Sequence, residues 1–237
     1  MLNQNPQLSA FERLTATTAL SDRQASVVKQ TYMLFSLSVI SAMAGGYFGA
    51  TSETLRGLFT NWIGWIVALV LLNVVPRIAI AARHNPVLGV SALVFDGLLA
   101  GLAISPLLWI ASMVSGTLII AALAITAAVF IGVTGYVMVS KRTFSAPRAL
   151  MTGMFFALIG AMLLNGWLQL GWLGFAISLG VGAMGVIALV TSTSAVLHSP
   201  DADSPIPGAL AMFAGVFNIF VAVLNILLRF AGGGRRD

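Results

Sequence analysis

The stretch TLIIAALAITAAVFIGVTGYVMV, Thr117 to Val139, runs for 23 residues without a charged side chain. About 20 mainly apolar residues are enough to cross the hydrocarbon layer as a helix, so this segment alone places the chain in a membrane. Composition agrees along the whole length. Of 237 residues, 59% are hydrophobic and 8% are charged, where a soluble domain carries about 25% charged residues. A water-soluble globule cannot hide that much apolar surface, and a disordered chain needs the opposite composition.

Outward from that stretch, similar runs recur between short polar breaks. They place spans near residues 30–50, 62–82, 87–109, 117–139, 149–168, 172–194 and 208–230. The expected fold is an all-α integral membrane protein, a bundle of seven transmembrane helices. Residues 1–28 read as a polar N-terminal tail, 29–231 as the membrane domain and 232–237 as a short basic tail. The N-terminal tail holds Glu12, Arg13, Asp22 and Arg23 and has no apolar core followed by a cleavage site, so it does not read as a secretory signal.

The twelve basic residues sort by side rather than forming a nucleic-acid surface. Eight of them (Arg13, Arg23, Lys29, Arg77, Arg83, Lys141, Arg142 and Arg148) fall in alternate breaks, and the opposite breaks hold only Arg56. Basic loops stay in the cytoplasm, which puts the N-terminus inside and, after seven spans, the C-terminus in the periplasm. Arg229, Arg235 and Arg236 run against that rule. The last apolar run is nevertheless about 34 Å long as a helix, enough to span.

Glycine organises the interior. Gly45 and Gly49 form one GxxxG pair, and Gly97 and Gly101 another. Helices in lipid associate through close packing of small faces, so these mark helix contacts within the bundle or between copies of it. The oligomeric state stays open.

Candidate chemistry is sparse. Asp96 is the only carboxylate well inside a span, and Arg77 lies across the His84–Pro86 turn at a similar depth, within about 5 Å along the axis. A charge at that depth costs several kcal/mol unless it is paired or hydrated. The two are expected to form an intramembrane ion or proton pair, functional or simply structural. Thr191, Ser192, Thr193 and Ser194 end the sixth span as a polar cluster, lining a cavity or bonding back to helix carbonyls. Asn165, Asn218 and Asn225 are placed to bridge helices, and Asn73 to satisfy a carbonyl left free by Pro76.

Cysteine is absent and histidine occurs twice, so no metal site or cofactor is expected. No hydrolase elbow, zinc-protease motif or phosphate loop is present, and an enzyme is not expected.

Specific residues carry a resemblance. Gly101-Leu-Ala-Ile-Ser-Pro-Leu-Leu108 resembles the Gly…Ser-Pro-Leu signature of the Bax inhibitor family, through Gly101, Ser105 and Pro106. Phe217-Asn-Ile-Phe-Val-Ala-Val-Leu-Asn-Ile-Leu-Leu-Arg-Phe-Ala-Gly232 is similar to that family's closing helix, through Asn218, Phe220 and Arg229. Thr193 to His198 and Lys29 to Ser38 also fit, so the likeness covers residues 29–237.

The resemblance implies six helices surrounding the last, in a bacterial inner membrane. It implies either modulation of the membrane protease FtsH, with the tail offered to the protease, or a pH-sensitive calcium or other cation leak. Leak-type members carry two aspartates whose positions match Ser192 and Gly215 here, and neither is acidic. That weakens the leak, because two carboxylates sharing a proton would form its switch.

Overall fold

The computed structural model describes residues 10–140, 142–198 and 204–233, with side chains from Asp22 onward except at 62 and 233. Residues 1–9 of the tail, Lys141, and Arg235 and Arg236 of the basic tail lie outside the described residues. Among those described the chain is helical: α1 (Ala10–Thr51), α2 (Glu53–Thr60), α3 (Trp62–Ala81), α4 (Pro86–Ala103), α5 (Ser105–Val114), α6 (Gly116–Ser140), α7 (Arg148–Leu168), α8 (Gly171–His198) and α9 (Ile206–Gly233). Seven of these, all but α2 and α5, are long and apolar enough to cross a membrane.

Local signals set the helix ends. Ser52, Asn61 and Asn85 cap α2, α3 and α4 by accepting the N–H of Leu55, Gly64 and Leu88, which satisfies donors a helix start leaves free. Pro86 opens α4 where its missing N–H costs nothing. Gln169, in the left-handed region at φ 52°, closes α7 with its N–H on the Asn165 carbonyl.

Three features depart from the hydropathy reading. The span expected at 87–109 is broken at Ile104, and Ser105-Pro106 starts α5 instead of closing the third span. A short helix, α2, fills the break after the first span. Finally, α1 runs unbroken across residue 28, so the polar segment from Ala10 and the first span share one helix of 42 residues. That is about 63 Å, twice the thickness of the hydrocarbon layer.

The last helix is the hub. α1, α3, α4, α5, α6 and α8 all pack on α9, whereas α7 packs on α8. The main core gathers Phe35, Leu93, Ala100, Leu210, Met212 and Phe213 around it. Exposed apolar side chains such as Val139, Phe156 and Ile63 face outward, as expected of a surface whose solvent is lipid.

Candidate functional site

The two ends of the bundle differ chemically. At the end holding the α3–α4, α6–α7 and α8–α9 loops, side chains tie the connections together. Gln24 donates to the Leu197 carbonyl at 3.4 Å, and Ser204 to the Arg83 carbonyl at 3.3 Å. Ser194 accepts the Phe144 N–H at 2.7 Å. At the opposite end stand Trp65, Trp109, Trp167 and Trp172. Amphipathic aromatic rings favour that interface. Arg229 sits there too: its Nη1 donates to the Gly171 carbonyl at 2.9 Å. The α9 helix therefore runs from one end of the bundle to the other.

Asp96 is 5% exposed, and its Oδ1 is enclosed without a hydrogen-bond partner. Arg77 does not supply one. Gly89 lies against the carbonyls of Ala79 and Ala82, and that register places Arg77 about one helical turn nearer the loop than Asp96. The depth agrees with the count from the turn, but the rotation does not. The buried stripe of α3 runs through Ala68, Val75 and Ala79, and Arg77 projects from the exposed face. Among the described residues no ion pair joins the two, and no group of three acidic or histidine side chains could hold a metal ion.

The hydroxyl run divides. Thr191 donates to the Ile187 carbonyl at 2.8 Å and Ser192 to the Leu189 carbonyl at 3.2 Å, back along their own helix. Ser194 serves the α6–α7 loop, and Thr193 Oγ1 is enclosed without a partner. Gly215, the other position where leak-type relatives carry an acid, is sealed. A Cβ there would stand 2.9 Å from the Leu189 backbone nitrogen and 3.0 Å from the Gly185 carbonyl oxygen. Asn73 and Asn225 also bond within their own helices, to the Leu69 and Val221 carbonyls. The carbonyl that Pro76 leaves free is Leu72's, so Asn73 does not satisfy it.

Both glycine pairs lie where α1 packs on α4 and the start of α5. A Cβ on Gly45 would collide with the Leu98 carbonyl, one on Gly101 with the Ala42 carbonyl, and one on Gly97 would stand 2.5 Å from the Ser38 oxygen. Ser41 adds a hydrogen bond to the Val94 carbonyl at 2.6 Å. Gly49 faces Ser105, which is fully buried beside Pro106 at the α4–α5 break. Asn218 packs where α9 meets Gly185, and Phe220 lies in a core with Ala111, Ala122 and Leu224.

A groove of about 680 Å³, which no sequence motif marks, lies between α1, α5 and α6, floored by Phe213, Phe217 and Phe220 of α9. Neither Asp96 nor the Thr191–Ser194 run lines it. Near its α2 end, Arg56 lies 4.4 Å over the ring of Trp109. The one available signal was that Arg56 stands alone among the breaks on its side.

Comparison with known proteins places these features. Residues 24–232 match the family described as inhibitor of apoptosis-promoting Bax1. An uncharacterized protein of Campylobacter jejuni is 30% identical over 86% of this chain and 88% of its own length. An uncharacterized protein of Pseudomonas aeruginosa is 26% identical over 93% and 96%. The Escherichia coli K12 protein named modulator of FtsH protease YccA is 31% identical over 85% and 89%.

Proposed function

Because the chain belongs to the Bax inhibitor family, we propose that it binds the membrane protease FtsH and slows its turnover of other substrates from the bacterial inner membrane. The observation that carries this is the 31% identity, over most of both chains, to a protein named as a modulator of FtsH protease. Two structural features support it. The first helix continues from the bundle as far as Ala10, about 63 Å in all, and offers a polar, helical handle. Behind that handle, α1 and α4 are locked backbone to backbone at Gly45, Gly97 and Gly101. A protease that pulls on the handle meets a bundle that resists extraction, and it stays occupied. No catalytic residue is assigned, and the cytoplasmic side is that of the α8–α9 loop. Affinity purification of the full chain from membranes tests the partnership: FtsH should co-purify, and its absence from a crosslinked sample would refute the proposal.

A second reading, a cation leak, is favoured by one observation. Asp96 is a buried carboxyl without a partner, a placement lipid-embedded chains tolerate at a cost of several kcal/mol. The closed packing at Gly215 favours the protease reading over it.

A further inference from the structure

We propose that the groove between α1, α5 and α6 is a binding site for one phospholipid, with an acyl chain in the groove and the phosphate on Arg56. This rests on the groove and its mouth alone and is independent of the FtsH reading.

Two properties of the groove select an acyl chain. The first is length. From Phe35 to Thr51 the α1 wall measures about 24 Å, longer than the roughly 15 Å half-thickness of the hydrocarbon layer, so an occupant lies extended. The second is polarity. The serine and threonine hydroxyls of the lining do not ask for a partner: Ser36, Thr51, Ser112 and Thr126 each donate to a carbonyl of their own helix, those of Tyr32, Tyr47, Trp109 and Ala122.

The groove is blocked at one end and marked by charge at the other. At the inner end Phe35 stacks on Phe130, centroids 5.0 Å apart, and Tyr32 meets the same ring edge-on. Above that plug α1 and α6 do not pack on each other among the described residues, so the groove opens sideways to lipid. At the α2 end, Arg56 donates from Nη1 to the carbonyl of Ala50, itself a lining residue, at 2.9 Å. Its flat face covers Trp109. A guanidinium carries five N–H donors, so most of them stay available to a phosphate above the mouth. Glu53, exposed one turn before Arg56 on the same helix, forms no ion pair with it.

Photolabelling tests the site. The full chain is placed in phosphatidylcholine nanodiscs with a trace of phosphatidylglycerol bearing a mid-chain diazirine, irradiated, and mapped by peptide mass spectrometry. Adducts should concentrate on α1, α5 and α6 lining segments, and unlabelled phosphatidylglycerol should compete about fivefold better than phosphatidylcholine. Arg56→Gln should abolish that preference while leaving the groove labelled. Ala127→Phe, and independently Met43→Trp, place bulk in the groove from lipid-exposed positions. Each should reduce groove adducts severalfold while labelling of α7 persists. Even labelling over groove and α7, or groove labelling unchanged in both bulky variants, would overturn the proposal. So would a polypeptide crosslinked in the groove in place of lipid, or inorganic phosphate competing as well as phosphatidylglycerol.

Discussion

Arg229, near the end of α9, donates from Nη1 to the Gly171 carbonyl at 2.9 Å, and its guanidinium occupies the space that a Cβ on Gly174 would take. The start of α8 and the end of α9 are thereby tied at the face opposite their connecting loop. Arg229→Gln should lower stability by about 1 kcal/mol, a charged donor at an exposed site. Thermal unfolding in detergent should show a fall of about 2–4 °C. Gly174→Ala displaces the same guanidinium, so the two changes should be markedly less than additive in a double-mutant cycle.

The same contact predicts topology. With α9 running the length of the bundle, its Gly233 end lies on the tryptophan side and the α3–α4, α6–α7 and α8–α9 loops on the other. A C-terminal alkaline phosphatase fusion should be active and a C-terminal green fluorescent fusion dark. The reverse pattern would mean that the basic end faces the periplasm.

Glycine substitutions should separate by position. Gly101→Ala drives a methyl into the Ala42 backbone and should cost about 1–3 kcal/mol or prevent assembly. Gly153→Ala meets open space on α7 and should be neutral or stabilising by about 0.5–1 kcal/mol. Comparable losses at both positions, measured by thermal unfolding, would contradict the α1–α4 packing.

Asp96 and Arg77 should behave independently. With no ion pair between them, the coupling energy of Asp96→Asn with Arg77→Gln should be within about 0.5 kcal/mol. Asp96→Asn should keep the fold, because no cation loses a partner. Calcium flux into proteoliposomes at acidic and neutral pH addresses the leak: none is expected for wild type or Asp96→Asn. Flux that Asp96→Asn abolishes would instead establish the leak.

Spans and helix type were legible because membrane insertion depends on length and apolarity, both linear properties of the sequence. Rotation about the helix axis was not. α3 is apolar on every face, so nothing in its periodicity told that Ala68, Val75 and Ala79 would turn inward and carry Arg77 outward. The break at Ile104 hides in a continuous apolar run, although Ser105-Pro106 is a helix-start signal. Ser52 and Asn61 likewise bracket α2 with readable caps, but eight residues are too short for a hydropathy window. The groove depends on which helices fail to meet, a tertiary property that no local pattern encodes.

The most direct measurement for the central claim compares FtsH substrate turnover in cells overproducing the full chain and a variant lacking residues 1–20. Turnover should be slowed with the full chain and restored with the shortened one, at equal membrane levels and equal thermal stability. Turnover unaffected by the full chain, or slowed equally by both, would contradict it.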